Sequence, residues 1–341
     1  MAAAFVILPQ FLGGKVNTLS VYTIMQSFAD YGLVALAVGL GMILAEYDLS
    51  AAAVFGLGGL LAVETGSGSP VVGIAVASAT GLLIGAIQGG IMARWRMRSV
   101  EVTLGGLLIV SGLTLVIAKQ KTVIYDRLDV STNLNQRILE VFSPRSLIVL
   151  AVFVAAALLL GLTRWGRDIR ATGGDRRSAR LTGVPVSRTI VGVFAIGSLV
   201  AAFGGAFYGL GVGSVAPDVG LNPLVFATIA SILGGVTLSG GRGSPLGIAA
   251  GVVSFATLQQ TLVTVNAPPY MTALITGGLL ILVTLATAPD IGRLGAVVTR
   301  LRFQYLRMRA PAAAGVGDVN SGQSTEGASA SESADRQRRD G

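Results

Sequence analysis

Residues 164–188 hold seven arginines (164, 167, 170, 176, 177, 180 and 188) against only Asp168 and Asp175, and apolar sequence lies on both sides. Residues 147–163 and 190–211 carry no charge at all. Each run approaches the roughly 20 residues that a membrane helix needs, so the chain crosses a bilayer on either side of a cationic loop. The positive-inside rule puts that loop in the cytoplasm. Arginines flank many membrane helices, so charge alone fixes only the side. The order within the loop says more. In Ala171-Thr172-Gly173-Gly174-Asp175-Arg176-Arg177-Ser178-Ala179-Arg180-Leu181-Thr182-Gly183-Val184 a glycine pair and an Asp175 N-cap frame a short amphipathic turn, a docking surface for a soluble partner.

Composition agrees with a polytopic membrane protein. Hydrophobic residues make up 52% of the chain and charged residues 12%, with a mean hydropathy of +0.73; a soluble domain carries roughly 25% charge. The net charge of +8 would suggest nucleic acid in a soluble chain. Here the arginines fall in loops and at helix ends, where orientation accounts for them, and no nucleic-acid partner is called for. Absence of both Cys and His excludes thiol chemistry, histidine-metal sites and a Ser-His-Asp hydrolase.

Taken in order, residues 1–12 are apolar but too short to span, and read as the remnant of a first helix better than as a signal peptide, since no basic region precedes them. Residues 13–30 are mixed and polar. The run 31–45 is interrupted by Glu46-Tyr47-Asp48-Leu49-Ser50 before 51–63 resumes. Carboxylates cost roughly 2.5–3.5 kcal/mol each at a helix centre, so they mark a break. It is either a tight cytoplasm-side turn or a discontinuous helix beside a transport path. Spans follow at 71–93, closed by the basic collar Arg94-Trp95-Arg96-Met97-Arg98, and at 102–118. Beyond the central loop come 190–211, 223–239, 246–265 and 271–288, and Arg293, Arg300, Arg302, Arg307 and Arg309 place the C-terminal end inside. The expectation is an all-α polytopic helical bundle with nine spans, ten if residues 1–12 belong to a first helix, and both ends cytoplasmic. The permease domain would occupy residues 1–310. Residues 311–341 lack apolar periodicity and read as a disordered tail. Leu-Ser pairs at 49–50 and 238–239 hint at an inverted repeat, common in transporters.

Most polar residues inside spans serve helix packing. Gln88 and the pair Gln259-Gln260 are the better pathway candidates, because amides both donate and accept toward hydroxyl-rich solutes. Leu238-Ser239-Gly240-Gly241-Arg242 is similar to the signature motif of ATP-binding-cassette ATPases, but no G-x-x-x-x-G-K-[ST] loop accompanies it, so it reads as a glycine turn and not an ATP site.

Four places resemble the permease subunits of bacterial ABC importers of the ribose/simple-sugar type, relatives of the branched-chain amino-acid permeases. Glu46-Tyr47-Asp48-Leu49-Ser50 resembles their G-I-D-L-S-x-G element. Gly85-Ala86-Ile87-Gln88-Gly89 stands in the place of G-x-I-N-G, ahead of Val102-Thr103-Leu104-Gly105, which resembles their T-L-G segment. The stretch from Gly173 to Val184 resembles G-G-N-E-A-A-x-x-S-G-I, the coupling helix that docks on the ATPase, and that from Gly234 to Gly243 resembles G-G-x-S-x-x-G-G-x-G. The chain departs from the pattern at Arg176, Arg177 and Ser178, where the family has a glutamate and two alanines, which implies an ATPase with a more acidic groove. It departs also at Gln88 and Gln259-Gln260 for asparagines, at Ser99 for a proline, and at Leu224 or Phe226 for an acidic residue.

The resemblance implies a non-enzymatic subunit without cofactor, working with a separate ATPase, an extracytoplasmic solute-binding protein and a second permease copy or paralogue in membrane lipid. Candidate pathway residues are Glu46, Tyr47, Asp48, Ser50, Gln88, Gln259 and Gln260. The rival readings are an ion-coupled secondary transporter using Glu46 and Asp48, a membrane-embedded enzyme, for which no nucleophile and base cluster, and a membrane scaffold.

Overall fold

The computed structural model describes residues 18–218 and 220–287, and each apolar run within them is helical. The helices are α1 (Thr18–Ile43), α2 (Ala51–Thr65), α3 (Pro70–Trp95), α4 (Ser99–Ile117), the short α5 (Leu128–Leu134), α6 (Pro144–Leu162), α7 (Arg164–Gly174), α8 (Arg176–Leu181), α9 (Val186–Val212), α10 (Asn222–Leu233), α11 (Pro245–Thr264) and α12 (Pro269–Thr287). Two short strands, β1 (Val123–Ile124) and β2 (Ser214–Val215), pair antiparallel with Val123 opposite Val215. Among the described residues six helices, α1, α3, α4, α6, α9 and α11, are long and apolar enough to cross a membrane, while α2, α10 and α12 are shorter apolar helices. That supports an all-α membrane protein with a smaller number of full-length spans than the nine expected. Residues 1–12, the arginines from Arg293 onward and the tail lie outside the described residues.

Local sequence explains the helix boundaries. Three spans begin at a Ser-Pro pair, Ser69-Pro70, Ser143-Pro144 and Ser244-Pro245, where proline's missing N–H falls among the unpaired amides of the first turn. Ser143 also forms a reciprocal capping box with Ser146. α1 runs from Thr18, so the described part of the stretch read as mixed and polar, residues 18–30, is helix: Thr23 and Ser27 hydrogen bond to the carbonyls of Leu19 and Thr23 one turn back, and Gln26 and Asp30 find partners on other elements. α10 stops at Leu233, well short of residue 239, because Gly235, at φ 84°, closes it with a Schellman turn in which the Val236 N–H reaches the Ser231 carbonyl at 3.1 Å.

α1 and α9 form the centre and are buried over most of their lengths, whereas α3 and α4 turn residues such as Val71, Leu83, Leu108, Ile109 and Val116 outward. Within a bilayer lipid is as apolar as leucine, so helices hold together by close packing of small residues rather than by escape from water. The seam between α9 and its neighbours shows how close. A Cβ added at Gly205 would lie 1.8 Å from the Phe55 carbonyl oxygen, one at Gly85 2.1 Å from that of Phe194, and one at Gly58 2.4 Å from that of Ala202. The α10–α11 hairpin is equally tight, with Gly251 against the Ala230 carbonyl.

The helix lengths follow a pattern. Helices α1 to α4 run 26, 15, 26 and 19 residues, and α9 to α12 run 27, 12, 20 and 19.

Candidate functional site

The interruption after α1 is a Schellman turn. Ala45 occupies the left-handed position at φ 62°, its N–H bonds the Met42 carbonyl at 3.0 Å, and the Glu46 N–H bonds the Gly41 carbonyl at 2.9 Å. The chain then runs through Tyr47 and Asp48 into α2. Asp48, 4% exposed, lies at the N-terminus of α2, where its Oδ1 accepts from the Ser50 N–H at 2.9 Å and the Ser50 hydroxyl at 2.6 Å. Amide donors and the positive end of the α2 dipole together keep this buried carboxylate satisfied. Ser50 Oγ also lies 2.9 Å from Gln88 Oε1, and its one proton serves a single acceptor at a time. Gln88, on α3, fits because α4 presents Gly106, where a Cβ would meet the Gln88 amide.

Tyr47 is held from three sides. Its N–H donates to Ser99 Oγ at 3.1 Å, its carbonyl accepts from Thr103 Oγ1 at 3.3 Å, and its hydroxyl pairs with Thr228 on α10. Ser99 therefore supplies the oxygen that anchors the interruption. Within Gly85-Ala86-Ile87-Gln88-Gly89 the two glycines face α9 and Gln88 faces the interruption. The resembling segments thus converge in space: 46–50, 85–89 and 102–105 meet directly, and the Gly240-Gly241 turn joins them, with the Gly241 N–H donating to the Ile43 carbonyl at 2.8 Å.

The basic segment folds onto the same end as two helices, α7 and α8. Asp175 caps α8 as its sequence position predicts, accepting from the amides of Arg177 at 2.8 Å and Ser178 at 3.4 Å and from the Ser178 hydroxyl at 2.9 Å. These donors, the Ser178 hydroxyl foremost, hold its carboxyl below the ordinary value of 3.8. Gly183, at φ 83°, ends α8, with the Val184 N–H on the Ala179 carbonyl at 3.0 Å. Gly173 packs so closely that a Cβ would lie 2.0 Å from the Ile43 carbonyl oxygen. Across this junction Arg176 forms an ion pair with Glu46, which is 7% exposed. Arg177, Ser178, Arg180, Leu181, Thr182 and Gly183 face outward, and Leu181 is 83% exposed.

Gln259 and Gln260 do not join this group. They lie on the far half of α11, half-buried, with no side-chain hydrogen bond among the described residues. Sequence reasoning missed another polar cluster toward the opposite end. Asp30, within α1, faces Arg145, the second residue of α6, with Nη1 2.7 Å from Oδ1, and Arg145 Nε is buried without a hydrogen-bond partner among the described residues. Gln26 Oε1 accepts from Arg145 Nη2 at 2.9 Å. Beside the pair, Tyr31 lies with its ring centroid 4.9 Å from that of Phe226 and 6.1 Å from that of Tyr208. Asp30 and Tyr31 are the last residues of α1 that are not wholly buried before its end.

An apolar bundle, an interruption held by polar side chains and a basic helical hairpin seated on it together define a membrane transport subunit. Residues 20–284 match the family described as the permease component of the branched-chain amino acid transport system, and the chain belongs to that family. It is 30% identical over 266 residues, 77% of this chain and 78% of the relative, to the L-arabinose ABC transporter permease protein AraH of Azospirillum brasilense. It is 29% identical over 287 residues, 80% of this chain and 78% of the relative, to the fructose import permease protein FrcC of Rhizobium meliloti. The autoinducer 2 import system permease protein LsrC of Yersinia enterocolitica matches at 30% over 287 residues, 83% and 78% of the two chains. No solved structure matches the chain. The chain is therefore a multi-pass inner-membrane permease subunit of an ATP-binding-cassette importer. It is not an enzyme, ATP hydrolysis belongs to a separate subunit, and the ion-coupled reading of Glu46 and Asp48 falls.

Proposed function

We propose that this permease imports a sugar or similar small polyhydroxy solute, delivered by an extracytoplasmic binding protein, through a path it forms with a second permease copy or paralogue. The observation that carries the reading is the convergence of the 46–50 interruption, Gln88 and the basic hairpin at one end of the bundle. Glu46, Tyr47, Asp48, Ser50 and Gln88 belong to the cytoplasmic side of that path, and their hydroxyl, amide and carboxylate groups suit a solute rich in hydroxyls. Gln259 and Gln260 face the same path nearer its outer end. The sugar permeases among the relatives favour this class of solute.

The stretch Gly173, Gly174, Asp175, Arg176, Arg177, Ser178, Ala179, Arg180, Leu181, Thr182, Gly183 and Val184 is the coupling element for the ATPase. Positive charge at that end favours the cytoplasm, which puts the C-terminal end inside after nine spans and the N-terminal end inside as well when residues 1–12 complete a tenth. The recurrence of helix lengths favours an inverted repeat of α1–α4 in α9–α12, since α2 and α10 are the short members of each set. It replaces the correspondence drawn from the two Leu-Ser pairs.

A pull-down of the detergent-solubilised permease with the ATPase encoded beside it tests the reading. The intact chain is expected to retain the ATPase and Arg177→Glu/Arg180→Glu to lose it; failure of the intact chain to bind would sink the proposal.

A further inference from the structure

Arg176 and Arg177 are neighbours in the sequence, but they point in different directions. Arg177 is exposed with Arg180 and Leu181 on the free face of α8, while Arg176 reaches back to Glu46, across 130 residues of chain. We infer that the Arg176–Glu46 ion pair is the joint through which displacement of α8 is passed to the 46–50 interruption, and that docking is left to Arg177, Arg180 and Leu181. The inference rests on the reading of α8 as the element that meets the ATPase.

Three observations support it. First, the rest of the junction is close packing and one backbone hydrogen bond, with Gly173 on the Ile43 carbonyl, Gly240 on the Ala45 Cβ and the Gly241 N–H on the Ile43 carbonyl, and among the described residues it offers no second ion pair. Arg176 is the only α8 side chain with a polar contact to the interruption among the described residues. Secondly, Glu46 lies two residues from Asp48, whose carboxylate anchors the start of α2 and, through Ser50, reaches Gln88 on α3. A shift at Glu46 is therefore felt by α2 and α3 through a continuous set of hydrogen bonds. Thirdly, Glu46 is buried, 7% exposed, and Arg176 is the cation that meets it, so water cannot take the arginine's place. A buried carboxylate left without that arginine would be strongly penalised, so the two ends must move together.

This also changes the expectation for the partner. Arg176 is spoken for, so the ATPase groove needs acidic groups only for Arg177 and Arg180, around an apolar pit for Leu181.

The chain has no cysteine, so Leu49→Cys provides a single reporter in the interruption. Its labelling by a soluble maleimide is compared in the full permease–ATPase complex, nucleotide-free and trapped with ATP and vanadate. With Arg176 present the two rates are expected to differ roughly fivefold or more, in the range of ordinary coupling between sites. In Arg176→Glu, and in the gentler Arg176→Gln should the reversal not fold, the ATPase stays bound but the two rates become equal; Glu46→Arg/Arg176→Glu restores the difference. Equal rates in the parent complex, or an undiminished difference in Arg176→Glu with ATPase bound, would overturn the joint. Loss of the ATPase from the parent permease would instead strike the docking reading itself.

Discussion

Asp30 and Arg145 meet at 2.7 Å inside the bundle, one from an apolar membrane-length helix and the other from the first turn of α6. Arg145 is 3% exposed and also leans on Gln26 and the Phe207 carbonyl. Breaking one side of such a pair leaves the other charge stranded, at about 3–5 kcal/mol. Arg145→Ala is therefore expected to lower the detergent melting temperature sharply. Asp30→Asn/Arg145→Met should recover most of the loss. Equal melting of the Arg145→Ala and parent proteins would show that the pair holds nothing.

Gly205→Ala is expected to disrupt folding, since its Cβ would meet the Phe55 carbonyl at 1.8 Å and neither backbone can yield without moving a helix. Gly90→Ala, on α3 with open space around it, gains helix propensity of about 0.8–1.0 kcal/mol and should be neutral or stabilising. Thermal melts of the two variants side by side check the contrast.

At the interruption, Ser50→Ala removes the hydroxyl shared by Asp48 and Gln88. An unmet buried polar group costs about 1–3 kcal/mol, and uptake per folded permease should fall roughly tenfold, the equivalent of about 1.4 kcal/mol. Gln88→Ala and Asp48→Asn are expected to act in the same direction. Unchanged uptake and solute affinity in both, at normal expression, would remove these residues from the path.

The Asp175 cap gives α8 a pH dependence with a definite sign. Its folded-state value lies below 3.8 because the Ser178 hydroxyl and the Arg177 and Ser178 amides stabilise the carboxylate. The contribution to α8 is thus present above that ordinary value and lost as pH falls through the folded one. Amide exchange at Arg177 and Ser178 should accelerate, relative to unstructured amides, only at the acidic limit. Asp175→Asn, which keeps a capping oxygen, should flatten the dependence.

Much of this was legible in the residues. The apolar runs became helices, Asp175 became a cap, and the segments around Ser50, Gln88 and Thr103 came together. The segment before Tyr31 was misread because hydropathy counts Gln26 and Asp30 as polar wherever they stand, while their partner Arg145 is supplied by a segment more than a hundred residues away. A charge beside an apolar run looks solvated until the fold shows what faces it. Likewise Arg176 and Arg177 are indistinguishable in composition, and only the direction of α8 separates them. Gln259 and Gln260 were grouped with Gln88 by chemistry alone, which carries no information about which helix half bears them.

The glycine contacts around α9 have a mechanical consequence. At Gly205, Gly58 and Gly85 backbone rests on backbone with no room for a methyl group, so a slide of one residue would drive side chains into carbonyls. Like a key cut for a single slot, α9 is locked in register with α2 and α3 and can turn only with them. Any change of shape must then carry α2, α3 and α9 together as one block.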